Sequence, residues 1–462
     1  MTAILVALPW HILSHGYLPP DDALRHAAKA VSGKSWPQIL VMRPDITIDT
    51  NPGWHWILAR IYHLTGSNTR ALVRFSVVSM FLLFTAAPLP WMRRPEAWLG
   101  ALAVVLTVFP YFAFRAFLGR PLFVSMAAML ILLCVWTRAE RARGGVLLLT
   151  ISLMALSTWV HGSWYLPTLI PVVFLLAGAW GKALLLVACW AGGTIVGASF
   201  TGDPWAFLTQ SALFAFRALG APRASLVGEF QPFTGGYPAA IIVALVCLHR
   251  KVAAKPLFTI LRDPIFLMAF LGWLLGFRWF RFWLDWGLPA FALWLGWQFA
   301  ESLAAATRAQ TAARLLTSAC AALVLLVWVG SDREARWSKY GKLECLDASR
   351  PEHAGWVPDA DGILYSEQMS AFYQTFFVNP HGNWRYALGF EPSLMLPEDL
   401  AVFREIWGGR EVFAALTPWV KKMRPADRLV LHYGPRPPPP IRELEWYYAA
   451  PHNWVGRLPR RN

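Results

Sequence analysis

Along residues 1–330, apolar runs of membrane-spanning length alternate with short polar breaks. A spanning helix needs roughly 17–25 mostly apolar residues. Runs of about that kind, several of them short, fall near 2–15, 71–90, 97–114, 120–137, 145–160, 164–180, 183–200, 237–249, 264–277, 284–300 and 313–330. The pattern predicts a bundle of about eleven transmembrane helices. The opening run, MTAILVALPWHILSH, has no basic flank and no small-residue cleavage site, so it reads as a retained helix and not as a signal peptide. A long polar interval, 16–69, separates it from the second run.

The pattern changes at 331. Residues 331–462 are mixed, charged and punctuated by proline, including the run Pro437 to Pro440. Gly362 to Tyr365 and Arg428 to Tyr433 read as short strands, and Pro397 to Trp407 as a helix with Glu398 and Asp399 near its positive end. The expected fold class is mainly α: a polytopic membrane domain, 1–330, carrying a small soluble α/β domain, 331–462.

Composition narrows the class. Of 462 residues, 56% are hydrophobic and 15% charged, and the mean hydropathy is +0.41. Those values exclude a water-soluble enzyme and a disordered chain. The net charge of +15 would raise nucleic acid as a partner of a soluble protein. No basic stripe with interleaved aromatics crosses a polar segment here, so no nucleic acid is expected and membrane lipids are. Five cysteines show no metal-binding or disulfide spacing, and the four in apolar runs read as small buried residues.

The basic residues also set an orientation. Arg93, Arg94, Arg138, Arg141, Arg143, Lys182, Arg250, Lys251, Lys255, Arg262, Arg308 and Arg314 fall in one set of alternate loops, which the positive-inside rule assigns to the cytoplasm. The N-terminus is then inside. The interval 16–69, the turns near Arg115–Arg120 and His161–Ser163, the loop 201–236 and the tail are outside. The expected location is the inner (plasma) membrane of a bacterial-type cell.

The densest chemistry is in the first outside interval. Asp21 and Asp22 stand just beyond the first helix, where bilayer gives way to water, and prolines before them end that helix. One carboxylate suffices to cap a helix over Ala23 to Val31. Two adjacent carboxylates repel, which raises the pKa of one and suits it to proton transfer.

Asp21-Asp22-Ala23-Leu24-Arg25-His26-Ala27 resembles the opening of the first periplasmic loop in GT-C-fold glycosyltransferases, especially the bacterial aminoarabinose transferases and protein O-mannosyltransferases; His26 stands where Tyr is common. Asn51 to Ala59 occupies the place of that family's Pro-Pro-Leu-x-Tyr-Trp-like juxtamembrane helix, and Ala71 to Phe75 that of its Arg-bearing second helix start. Arg281 to Pro289 looks like the family's basic-aromatic start of a late helix. The resemblance implies inverting transfer of a sugar from a polyprenyl-phosphate donor to a lipid, glycan or protein hydroxyl outside the membrane. It implies Asp21 as general base, with Asp22 capping, orienting or sharing the proton.

A lipid phosphate at the membrane boundary suits arginine, which holds phosphate bidentately. Arg278 and Arg281 are the first candidate pair, Arg115 and Arg120 the second. Arg25, His26 and His161 are further candidates for substrate contact, and Asp45 and Asp49 for shaping the acceptor cleft. Asp285 departs from the family pattern and is spaced to pair with Arg281 at i,i+4. Asp203 and Glu229 lie in the loop 201–236, but no ligand spacing marks a divalent site, so neither a metal nor another cofactor is expected. The arginines also fit a plain aromatic belt with snorkelling side chains. A transporter and a non-catalytic membrane subunit of a surface-glycan or secretion complex are the rival readings. Few ionisable residues lie mid-run, which counts against transport.

Overall fold

The computed structural model describes residues 2–140, 143–219, 228–304, 311–409, 412–434 and 437–459; Arg141 and Arg308 lie outside them. The chain is mainly helical with one small sheet. Among the described residues, three helical stretches are long and apolar enough to cross a membrane: Thr69–Trp91, Trp180–Ser199 and Thr311–Val329. The run expected as one span over 97–114 is broken instead, its halves Pro95–Val108 and Pro110–Ala116 meeting at 111°. Pro110 is the cause: it has no N–H to donate and pushes the preceding residue out of helical geometry, and Phe109 sits at φ −118, ψ 75.

The other apolar helices are shorter. The first, Thr2–Ser14, has 13 residues and reaches about 20 Å at about 1.5 Å per residue. Leu122–Arg138, Gly144–Val160, Leu166–Leu176 and Pro264–Gly276 are likewise apolar and below 18 residues. The late run near 284–300 begins with a π-helical turn, Trp283–Gly287, before continuing as Leu288–Ala304. The interval 201–236, expected as a loop, opens with the helix Pro204–Leu219. Of the cysteines in apolar runs, Cys134 and Cys189 are buried, Cys247 is partly buried and Cys320 is exposed.

The sheet is formed by β1 (Ile363–Ser366), β2 (Arg385–Tyr386), β3 (Arg428–His432), β4 (Glu445–Ala450) and β5 (Asn453–Arg457), in the order β2-β1-β3-β5-β4. β1 runs parallel to β2 and β3, while β5 runs antiparallel to β3 and β4. β1 and β3 fall on the two expected strands, and the helix Pro397–Gly408 on the expected helix. A cluster around Phe403, Trp419 and Leu429 forms an apolar core of this part.

The first polar interval is fastened to this sheet. Leu40 bridges Tyr386 of β2, the Val41 N–H donates to the Tyr386 carbonyl at 2.9 Å, and Lys34 Nζ donates to the Gly382 carbonyl at 2.6 Å. The helix Asp22–Ser32 packs on the helix Met369–Val378. Two polar segments far apart in sequence thus form one layer on the helical body. At the other end of the helix Leu122–Arg138, a cavity of about 800 Å³ gathers Arg93, Arg94, Arg138, Lys182, Arg250 and Arg262.

Candidate functional site

Asp21 caps the helix Asp22–Ser32, its Oδ1 accepting the Asp22 N–H at 2.5 Å. Gly33, at φ +65, ends that helix in the left-handed region that strains other residues. The spacing i, i+3, i+4 puts Asp22, Arg25 and His26 on one face. Arg120 comes from the turn between Pro110–Ala116 and Leu122–Arg138, and His161 from the end of Gly144–Val160. The His161 turn is tied to the first interval: the Gly162 N–H donates to the Thr50 carbonyl at 2.8 Å, and Asn51 Nδ2 to the Val160 carbonyl at 3.3 Å. A Cβ on Gly162 would stand 2.8 Å from the Thr50 oxygen, so the approach needs glycine.

These elements enclose a cavity of about 700 Å³, lined among others by Asp21, Asp22, Arg25, His26, Arg120, His161, Glu229, Arg281, Tyr373 and Glu391. Arg278, the first partner proposed for Arg281, is not there. The Arg278 N–H closes the preceding helix on the Leu275 carbonyl, and the next residue, Trp279, is extended at φ −143, ψ 106. That step turns Arg281 inward and leaves Arg278 exposed over the Trp279 ring at 5.3 Å. Asp45 is also outside the cavity, exposed and paired with Arg43 at 3.0 Å.

A continuous ion-pair network starts on the cavity floor and runs into the protein. Arg120 reaches Asp21 at 2.5 Å, Asp22 at 3.1 Å and Glu229 at 2.5 Å. Arg25 holds Asp22 at 2.7 Å. Arg115 holds Glu229 at 2.6 Å and grips Asp285 with two nitrogens, at 2.5 and 2.9 Å. Arg281 completes the chain on Asp285 at 3.0 Å, the i,i+4 pair expected from the spacing. Four arginines thus face four carboxylates.

The acid pair is split electrostatically. Burial drives the Asp21 carboxyl above its ordinary range, against the pull of Arg120, and the Asp22 charge adds to the rise. Burial acts on Asp22 too, but Arg25 and Arg120 outweigh it and hold Asp22 well below the usual carboxylate range. Glu229 is lowered in the same way by Arg115 and Arg120. Burial pushes Glu391 up to about 7, opposed by Arg281. Burial also lowers His161 to about 3, so its ring is neutral. Asp22 and Glu229 are therefore fixed anions, while Asp21 and Glu391 are the carboxyls poised to exchange protons.

Behind this floor runs a second chain. Asp49 Oδ2 lies 2.5 Å from His55 Nδ1, and His55 Nε2 lies 2.7 Å from His26 Nδ1. His55 and Glu391 carry no motif that singles them out; His55 is one residue of the Trp54-His55-Trp56 segment, and Glu391 is an acid set between Phe390 and Pro392. Glu229 stands out only as a rare acid in its interval.

Among the described residues, no group of three or more His, Cys, Asp or Glu is arranged to hold a metal ion. Asp21, Asp22 and Glu229 are engaged by guanidinium groups instead. What the arrangement offers is exchangeable arginine donors, one basic carboxyl beside one fixed carboxylate, and neutral imidazoles. No protein-family model matches this chain, and a search of curated proteins finds no match either.

Proposed function

We propose that the protein is a membrane glycosyltransferase that moves a sugar from a polyprenyl-phosphate donor to a hydroxyl on the outer face, with inversion. The observation that carries this reading is the cavity where Asp21 and Asp22 meet Arg25 and Arg120, with Arg281 in the same lining, between the apolar helices and the α/β layer. In this account the helical body crosses the bilayer about eleven times, the shorter helices completing the set. The basic cavity beside Arg138 faces the cytoplasm and the α/β layer faces outward.

The chemistry needs charge to move. A donor phosphodiester carries one negative charge, and the departing phosphomonoester carries two. An arginine can exchange a carboxylate for phosphate without changing its forked geometry. Arg25 Nη1 is buried and has no protein partner among the described residues. As Arg120 turns to phosphate it releases Asp21, the more basic acid of the pair, beside the incoming hydroxyl. Adjacent acids cannot flank a sugar on both faces, so a single in-line displacement is expected rather than the two-carboxylate geometry of hydrolases.

The even count of arginines and carboxylates favours one second reading, a non-catalytic subunit whose charges only hold the layers together. The test is mass spectrometry of envelope glycans and lipids from cells lacking the gene, complemented by wild type or by Asp21→Asn. The proposal predicts a glycan restored by wild type and absent with Asp21→Asn at equal protein level. Equal restoration by both would leave the subunit reading standing.

A further inference from the structure

Asp49 is surrounded by donors. Its Oδ1 accepts the Asn51 N–H at 3.0 Å and Trp36 Nε1–H at 3.3 Å, and its Oδ2 faces His55 Nδ1 at 2.5 Å. Burial alone would raise the Asp49 carboxyl, but the hydrogen bond from His55, the nearby Lys29 and the Asn51 N–H hold it well below the usual carboxylate range. An ionised carboxylate only accepts, so His55 Nδ1 carries the hydrogen. Burial lowers His55 and keeps its ring neutral, so its Nε2 is bare and accepts. His26 Nδ1, 2.7 Å away, must then be the donor. Burial and the nearby Arg25 lower His26 strongly, so it too is neutral and its Nε2 carries a free lone pair. That nitrogen is buried, on a fully buried side chain, with no protein partner among the described residues. His26 lines the cavity. An unmatched buried acceptor is unfavourable, and a substrate donor would satisfy it.

We propose that Asp49, His55 and His26 form a proton-accepting chain whose free end, His26 Nε2, takes the hydroxyl proton of the substrate in the cavity. The identity of that hydroxyl rests on the sugar-transfer reading above. The step balances without a co-reactant. The O–H bond breaks, its electron pair stays on the oxygen that attacks the anomeric carbon, and a new N–H bond forms at His26 Nε2. The proton on His26 Nδ1 passes to His55 Nε2, and the positive charge comes to rest on His55 against Asp49. The sugar–phosphate bond breaks with its electron pair on the departing phosphate.

His26 is the catalytic residue of the chain; His55 and Asp49 are positioning residues. Arg25, Arg120 and His161 bear on His26, and Lys29 and Arg25 bear on His55. All of these oppose a resting imidazolium, and Asp49 is the one group named there that favours it. His26 takes the proton, while Asp21, once Arg120 releases it, accepts a hydrogen bond that orients the same hydroxyl.

Two measurements test it. Histidine nitrogen NMR on the full chain in nanodiscs, assigned with His26→Gln and His55→Gln, reads the tautomers directly. The expected result is hydrogen on Nδ1 of both rings and none on His26 Nε2; a proton on His26 Nε2 overturns the proposal. The second measurement is the rate of glycan formation in complemented cells at external pH from about 5 to 8, across the range where histidine ordinarily titrates. His26→Gln should lower the rate by about a hundredfold or more. Asp49→Asn keeps an acceptor for the His55 N–H but removes the charge. It should slow turnover by a smaller factor and move the acid limb of the profile to lower pH, which a purely structural role would not do. A His26→Gln rate within about twofold of wild type, far from the effect of a lost base, overturns the proposal while leaving sugar transfer intact. If wild-type complementation restores no glycan, the sugar-transfer reading fails and the histidine spectra alone decide the chain.

Discussion

Asp285→Asn isolates the deepest part of the ion-pair network. Asp285 is 0% exposed and accepts two nitrogens of Arg115, itself 3% exposed, plus Arg281 Nε at 3.0 Å. Asparagine keeps the shape but turns one acceptor oxygen into a donor facing a guanidinium. Breaking a buried ion pair from one side costs about 3–5 kcal/mol, because the surviving charge is left uncompensated. Glu229 still holds Arg115 at 2.6 Å, so the low end, about 3 kcal/mol, is the expectation. That is more than about a hundredfold in the folded-to-unfolded ratio, at about 1.4 kcal/mol per factor of ten. Denaturant titration in micelles, followed by tryptophan fluorescence, measures it; Trp283 and Trp286 lie on the same turn as Asp285. Arg115→Met combined with Asp285→Leu removes both ions and should recover most of the loss. A single variant within about 1 kcal/mol of wild type, or a double variant worse than the single, would refute a buried pair holding this turn.

Other consequences follow from the same geometry. Arg120→Lys replaces a fork that spans three carboxylates by a point charge, and should weaken donor binding about tenfold or more in a titration with polyprenyl phosphate. Glu391 sits at about 7 where its ordinary value is 4.5. A group raised in the folded state stabilises fully below its unfolded value, and that contribution is lost as pH rises through the folded value. Stability should therefore fall between about pH 4.5 and 7 by an amount that Glu391→Gln removes, read as denaturation midpoints at the two ends of that window. Gly162→Ala forces Thr50 away and should loosen the His161 turn, lowering thermal stability while Gly144→Ala, which meets nothing within 4 Å, does not.

Much of the site is legible along one short helix. Asp21, Asp22, Arg25 and His26 are close in sequence, and helical spacing alone predicts that three of them share a face. Arg120, His161 and Arg281 are legible as polar residues at helix ends on one side. The choice between Arg278 and Arg281 is not legible, because it depends on the extended backbone at Trp279, which no hydropathy pattern records. Glu229 and Glu391 reach the cavity only through tertiary packing. The break at Pro110 illustrates the same limit: a hydropathy window counts its apolar neighbours and does not see the missing N–H. The pairing of Leu40 and Val41 with β2 is also hidden, since an edge strand is completed by a segment that carries no strand pattern of its own.

The central claim is that the cavity beside Asp21 exchanges a carboxylate for a lipid phosphate. A cryo-electron-microscopy structure of the full chain in nanodiscs with added polyprenyl phosphate tests it most directly. The account predicts phosphate density within hydrogen-bonding reach of Arg25 Nη1, Arg120 or Arg281, with Arg120 drawn away from Asp21. Phosphate density confined to the basic cavity beside Arg138, with the Arg120–Asp21 pair intact, would contradict it.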